Sequence, residues 1–317
     1  MKIVALGELL IDFTGRGLSD QGMALYERNP GGAPANMLAA AAKLGIDTAI
    51  IAKVGADMHG QYLKAVLEQY NIDTSALVLA SDVFTTLAFV DVAEDGARTF
   101  SFARKPGADT CLNENEVPQA LIDSCDIFHF GSLSLTDSPA REATFCALEY
   151  AKAAGKIISY DPNYRASLWS SAELAQQRIR QPLDFVDILK FSDEETELVA
   201  GVSDPAEASE IMHGYGIPVV VVTLGPKGAL VRNKEGCAVV PGFSAKAVDT
   251  TGAGDAFMGA FLAGVLRNQQ PVSDISLDSL KDVARYANAV ASLSVRSRGG
   301  IFSMPCSAEV NQLMASL

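Results

Sequence analysis

IFHFGSLSLTDSPAREATFCALEYAKAAGKIISYDP, residues 127–162, carries the reading of the fold. It opens on an apolar run, IFHFGSL (127–133), passes through an alanine-rich helical pattern, REATFCALEYAKAAG (141–155), and closes on a second apolar run, KIISYDP (156–162). A strand, a helix and a second strand in succession build parallel sheets, because parallel neighbours need a long crossover. The same alternation recurs in IVALGELLI (3–11), TAIIAKV (48–54), ILKFS (188–192), PVVVVTLG (218–225) and GALVRN (228–233), with PANMLAAAAKLG (34–45) among the helices. These runs predict an α/β fold: a doubly wound, mostly parallel central sheet flanked by helices. In such folds the ligand sits beyond the carboxyl ends of the strands.

Composition agrees with a globular protein. Of 317 residues 49% are apolar and 20% charged, which excludes disorder, collagen-like repeats and a disulfide scaffold. The net charge of −13 disfavours non-specific binding to nucleic acid or to an anionic membrane. Cys111, Cys125, Cys146, Cys237 and Cys306 are scattered and never form a CxxC pair, as expected of reduced thiols in the cytoplasm. The N-terminal MKIVALGELLIDF lacks an AxA cleavage site and reads as a buried first strand. No apolar stretch approaches the roughly 20 residues that span a bilayer. His59, His129 and His213 lie far apart without metal-ligand spacing, so no zinc site is expected.

Two segments depart from the alternation. Residues 13–31 are polar and Gly-rich, and 83–104, VFTTLAFVDVAEDGARTFSFAR, read as a hairpin turning at Glu94-Asp95-Gly96. Arg98, Phe100, Phe102 and Arg104 would share one face of its second strand. That face suits either a lid over a polar ligand or a surface hairpin with snorkelling arginines. The expected organisation is a single domain over 1–317, with a small β-sheet lid inserted from about 13–31 and 83–104.

The chemistry concentrates in VDTTGAGDAFMGAFLAGVL (248–266). Gly252, Ala253 and Gly254 form a turn that opens a helix of small and apolar residues. Such a turn leaves backbone N–H groups unpaired at the positive end of the helix dipole, which makes an anion site suited to phosphate. Asp255 stands at the same place. It serves either as a stabilising carboxylate of the first turn or as a general base that takes a proton from an attacking hydroxyl. GxxxxGK[ST] is absent. The pattern from Gly252 misses GxGxxG because the next glycine is Gly259, and it lies far from a first strand, so a dinucleotide site is disfavoured.

GGAPANMLAAAAKLG (31–45) followed by VGADMHG (54–60), together with DTTGAGDAFMGAF (249–261), resembles the two signature patterns of the ribokinase-like (PfkB) carbohydrate kinases, in order and at the expected separation. The likeness spans nearly the whole chain and is strongest to the bacterial fructokinase branch. The resemblance implies a ribokinase-like fold and assigns roles. Asp255 matches the catalytic base, and the amides of Ala253, Gly254 and Asp255 the anion hole, in a catalytic loop that Gly252 opens. Asp12, Gly31, Gly32 and Asn36 match sugar-binding positions. Arg98 and Arg104 match lid positions, with Arg104 the choice for a sugar contact and Arg98 a support. Arg165 in Asp161-Pro-Asn163-Tyr-Arg165 could reach phosphate; alternatively the motif is a Pro-centred turn. Ser192 opens Ser192-Asp193-Glu194-Glu195 where the family carries Asn, which weakens a nucleotide contact there. Glu195 would act through water on the Mg²⁺ carried by ATP, or SDEE is an acidic helix cap. Thr223, Gly225 and Gly228 match the nucleotide loop, Gly254 the phosphate site, and Asn288 a position near adenine. Asp249, Thr251, Ser294, Ser297, Gly299 and Ser303 match positions that hold K⁺ in relatives.

The expected activity is therefore phosphoryl transfer from ATP to a primary hydroxyl of fructose, with Mg²⁺ as cofactor and K⁺ as a candidate second one. Alternatives are a 2-keto-3-deoxygluconate kinase or another sugar or nucleoside kinase, and, from another class, a non-catalytic sugar-binding regulator. An acidic sugar would need Arg98, Arg104 and Arg165 to converge on its carboxylate. The partners implied are a sugar and ATP, with no nucleic acid and no membrane, and a homodimer through the lid.

Overall fold

The computed structural model describes residues 1–92 and 98–316, and of residues 91, 92 and 98–100 the backbone alone. The expected turn at Glu94-Asp95-Gly96 and the side chains of Arg98 and Phe100 lie outside the described residues. The strands are β1 (Lys2–Leu6), β2 (Leu10–Leu18), β3 (Ala24–Gly31), β4 (Asp47–Gly55), β5 (Ile72–Ala80), β6 (Leu87–Val92), β7 (Arg98–Ala103), β8 (Ile127–Gly131), β9 (Ile157–Asp161), β10 (Ile188–Ser192), β11 (Val219–Thr223), β12 (Gly228–Asn233) and β13 (Gly236–Pro241). The helices are α1 (Ala33–Lys43), α2 (Met58–Gln69), α3 (Gln119–Asp123), α4 (Ala140–Ala153), α5 (Ala172–Arg180), α6 (Thr196–Ala200), α7 (Pro205–Gly214), α8 (Ala253–Asn268), α9 (Leu277–Ser294) and α10 (Ser307–Ala315).

Nine strands form the central sheet in the order β13-β12-β11-β10-β9-β8-β1-β4-β5. All its pairs are parallel except β11/β12 and β12/β13. Successive residues feed opposite layers, as a pleated strand demands. Ile3 and Ala5 pack with residues of α1, α8 and α9, while Val4 and Leu6 pack with residues of α4, α5 and α7. The sheet is thus buried on both faces, which is why its strands read as continuous apolar runs. From β1 the chain winds outward through β4 and β5, then returns to the other side of β1 at β8. That reversal opens a crevice at the carboxyl ends of β1 and β8.

A second sheet, β3-β2-β6-β7, stands at that crevice. Here the expected run IVALGELLI divides: β1 ends at Leu6 and β2 begins at Leu10 in the other sheet. Between them Glu8 turns inward and accepts a hydrogen bond from the Ala33 amide at 2.8 Å. Strands β3, β5 and β13 were not legible as apolar runs, because each is only partly buried.

α8 is almost wholly buried, and its small residues allow close approach to α1. A Cβ at Gly259 would overlap the Met37 carbonyl of α1. Among the described residues no helix is long and apolar enough to cross a membrane.

Candidate active site

At the carboxyl ends of β1, β8 and β9, between the two sheets, lies a cavity of about 240 Å³, suited to a monosaccharide rather than a polymer. Its wall brings together Asp12 from β2, Gly32 and Asn36 from the start of α1, Arg165, Asp249 and Thr251, Gly252 to Asp255, and Gly299. Glu8, Phe102, Leu133, Asn163 and Lys190 complete the parts that bear on the chemistry.

Two helix starts meet here. α1 begins after Gly32, whose φ of +113° only glycine adopts readily and whose Cβ would overlap the Glu8 carbonyl. α8 begins after Gly252, at φ +77°. The Ala253 amide donates to the Thr250 carbonyl at 3.2 Å. The amides of Gly254 and Asp255, in the first turn, have no intrahelical acceptor and are the ones offered to an anion. Gly31 leaves room for the Asp12 carboxylate, which a Cβ there would strike.

Asn36 and Asp255, far apart in sequence, join the two helices: Asn36 Nδ2 donates to Asp255 Oδ2 at 2.8 Å. Asn163 Nδ2 approaches the other oxygen at 3.4 Å. Asp255 is buried, and burial raises its pKa, opposed by the Asn36 hydrogen bond and by the charges of Lys190 and Arg165. A buried carboxylate with a raised pKa is a better base than a solvated one. Asp12 is likewise pushed up to about 6 by burial, which Arg165 opposes and Asp255 and Asp249 reinforce.

Lys190 was not singled out in the sequence. It stands in β10, 5% exposed, with Nζ 2.6 Å from Asp161 Oδ2 and against Gly254. Burial alone would lower its pKa, but the carboxylates of Asp161, Glu195 and Asp255 outweigh that and raise it, so the ammonium keeps its charge. The signal was present: a lysine inside ILKFS, a run otherwise apolar up to its last residue. Glu8 inside IVALGELLI is the same signal. Its carboxyl is pushed up to about 7 by burial, against the hydrogen bonds it accepts from backbone amides. Glu8 Oε2, Asn36 Oδ1 and Asp161 Oδ1 are buried without a hydrogen-bond partner. Three orphan acceptors at or beside one cleft call for a ligand that brings donors, as the hydroxyls of a sugar do.

Several other predicted residues lie apart from the cleft wall. Arg104 does not line it; its guanidinium is buried against Asp109, 2.7 Å away. Arg104, expected to contact the sugar, thus has its guanidinium in an ion pair behind the wall. Glu195 accepts from the amides of Tyr164 at 2.6 Å and Ser192 at 2.8 Å, and from the Ser192 hydroxyl; the Ser192 amide bond is one half of a capping box, whose other half is the Glu195 amide donating to the Ser192 side chain. Both its oxygens already hold a donor, an arrangement compatible with contact through water rather than direct ligation. Ser192 and Thr223 are register partners at the ends of β10 and β11, and Gly225 and Gly228 follow in the next turn, at φ +56° and +107°. Asn288 donates to the carbonyls of Val240 and Pro241 at 3.0 and 3.1 Å, tying α9 to β13. Asp249 accepts from the Thr251 amide and hydroxyl and from the Gly299 amide, so it joins two loops. The hydroxyls of Ser294 and Ser303 donate to the carbonyls of Ala291 and Gly300, which leaves their oxygens free to accept. Ser297 lies in the loop after α9. Among the described residues no three His, Cys, Asp or Glu side chains cluster as a metal site.

Comparison with known proteins bears on the family and the fold. The model of the pfkB family carbohydrate kinases matches residues 1–306. Fructokinase-1 of Oryza sativa subsp. japonica is 38% identical over 318 residues, covering 99% of this chain and 98% of the relative. The crystal structure of a fructokinase with bound ATP from Xylella fastidiosa superposes with a TM-score of 0.91 at 31% identity, over 99% of this chain and 98% of that one. A fructokinase from Vibrio cholerae O395, in a form with fructose, ADP and calcium ion bound, superposes with a TM-score of 0.88 at 32% identity, over 98% of each chain.

Proposed function

The chain belongs to the pfkB family of carbohydrate kinases, and on that premise we propose that it is an ATP-dependent fructokinase, transferring the γ-phosphoryl group of ATP to a primary hydroxyl of fructose. The observation that carries this reading is the junction of α1 and α8. There a buried Asp255 carboxylate, oriented by Asn36, stands beside the Gly254 and Asp255 amides and the Lys190 ammonium. Asp255 takes the proton of the sugar hydroxyl, and the freed oxygen attacks the γ-phosphorus in line. The Gly254 and Asp255 amides of the 252–255 turn and Lys190 stabilise the charge on the migrating group. Asp12, Gly31, Gly32 and Asn36 hold the sugar, and Arg165 reaches toward phosphate. Ser192, Thr223, Gly225, Gly228 and Asn288 bound the nucleotide end.

Mg²⁺ carried by ATP would meet Glu195 through water and neutralise phosphate charge. Asp249, Thr251, Ser294, Ser297, Gly299 and Ser303 would hold K⁺ through carboxylate, hydroxyl and carbonyl oxygens. Residues 1–317 act as one kinase domain in which the small sheet, from about 13–31 and 83–104, is a lid that excludes water from the reaction. The β2–β3 hairpin carries exposed Leu18, Met23, Leu25 and Tyr26, apolar surface that a homodimer through the lid would cover, and the protein would act in the cytoplasm.

The test is a coupled ADP-release assay across a sugar panel, with and without K⁺. Fructose should be the preferred acceptor. If fructose gives no turnover while 2-keto-3-deoxygluconate does, the substrate assignment fails.

A further inference from the structure

Arg104 lies two residues beyond Phe102, a side chain of the cleft wall. Its guanidinium is buried and fully engaged. Nε and Nη2 are each 2.7 Å from Asp109 Oδ2. Nη2 also donates to the Leu133 carbonyl at 2.9 Å, and Nη1 to Thr136 Oγ1 at 2.9 Å. Leu133 lines the cleft, so the cation sits directly behind the wall. Asp109 is as deeply buried, its side chain 2% exposed, and its second oxygen accepts from Thr86 Oγ1 just before β6. The carboxylate thus holds Arg104 and cancels its charge at one stroke. Asp137 also comes within 3.7 Å of Nη1, but at 57% exposure solvent screens it. The wall itself carries the acids Glu8, Asp12, Asp249 and Asp255 against the cations Arg165 and Lys190.

We propose that Asp109 is a specificity-determining residue: by pairing with Arg104 behind the sugar pocket, it keeps the site open to a neutral ketose and closed to a sugar that bears a carboxylate. This rests on the fructokinase reading and deepens it. A guanidinium cannot shed its proton. With Asp109 replaced, a buried positive charge would remain against the cleft wall without its principal counter-ion, and a sugar carboxylate is the anion the cleft can admit. Glu8 can absorb part of that charge but faces the same cleft, so it limits the gain without abolishing it.

The experiment compares kcat/KM for fructose and for 2-keto-3-deoxygluconate on the same preparation. The ratio of the two is independent of how much of a variant is folded. Asp109→Asn and Asp109→Ala should shift the ratio toward the acid sugar by roughly 10-fold or more, the scale of a unit charge acting across a few ångströms of protein. The double variant Arg104→Met/Asp109→Ala, which removes both charges, should return the ratio to the wild-type value, as a purely structural role for Asp109 would not. Fructose turnover by the wild-type protein tests the kinase reading separately. Ratios within two-fold of wild type in both single variants would overturn the proposal, as would a wild-type enzyme that phosphorylates the acid sugar as well as fructose.

Discussion

Replacing Lys190 by methionine separates two effects that share one side chain. The change removes the ammonium 2.6 Å from Asp161 Oδ2 and beside Gly254. Asp161 is pushed up to about 6 from the usual 3.8, because burial outweighs the attraction of Lys190. A carboxyl that is harder to ionise in the folded chain than in the unfolded one favours folding only while protonated. In the wild type that preference is complete below about pH 4, is lost as pH rises to about 6, and by then has cost about 3 kcal/mol. Without Lys190 the folded-state value climbs further, so the loss continues above pH 6 at about 1.4 kcal/mol per pH unit. The pH-dependent deficit of the variant is therefore close to zero at pH 6 and about 2 kcal/mol at pH 7.5. That is smaller than the roughly 3–5 kcal/mol for breaking a buried ion pair, because Asp161 escapes by taking a proton. Catalysis loses a positive partner of the migrating phosphoryl group, which should lower kcat by about 10²–10³. Urea unfolding at pH 6 and 7.5 reads the first effect, and coupled ADP release reads the second. A stability deficit equal at the two pH values, or a kcat within threefold of wild type, would refute the reasoning.

Further outcomes follow from the same geometry. Asp255→Asn should cut kcat by about 10²–10⁴ while fructose affinity, measured by calorimetry, stays within threefold; turnover above a tenth of wild type would remove Asp255 from the role of base. Asn36→Ala deletes the hydrogen bond that opposes the raised pKa of Asp255. The base must be ionised to act, so the acid limb of the kcat–pH profile should move to higher pH, and an unmoved limb contradicts the coupling. Gly259→Ala would drive a Cβ into the Met37 carbonyl and to 2.8 Å from Ala40 Cβ, and should destabilise the fold by about 1–3 kcal/mol in urea unfolding. A neutral or stabilising result there would mean that α1 can withdraw from α8.

Much of the architecture was readable along the chain, because a strand buried on both faces must be apolar throughout and its crossover helix must be amphipathic or small. The same holds for the 249–255 turn: a glycine with positive φ and an acid at a helix start leave a local signature. The edge strands β5 and β13 were not readable, since half-exposed strands relax the apolar pattern. Neither was the division of 3–11 between two sheets, which depends on Glu8 turning inward to the amide of Ala33, distant in sequence.

The site divides in the same way. Asp255 and the glycine turn stood out by residue type and spacing, and Asp12 and Asn36 through the resemblance to the family's motifs, whereas Lys190 and Glu8 were hidden in apolar runs where a charge has meaning only once its neighbours are known. Arg104 illustrates the limit. The resemblance gave it a sugar contact; in the structure Asp109, only five residues on, holds its guanidinium. What the chain determined by itself was local: the order of strands and helices and the residues able to do chemistry. Tertiary structure alone decided which charges meet, because hydrogen bonds and ion pairs act over a few ångströms and so depend on distances that spacing along the chain does not encode.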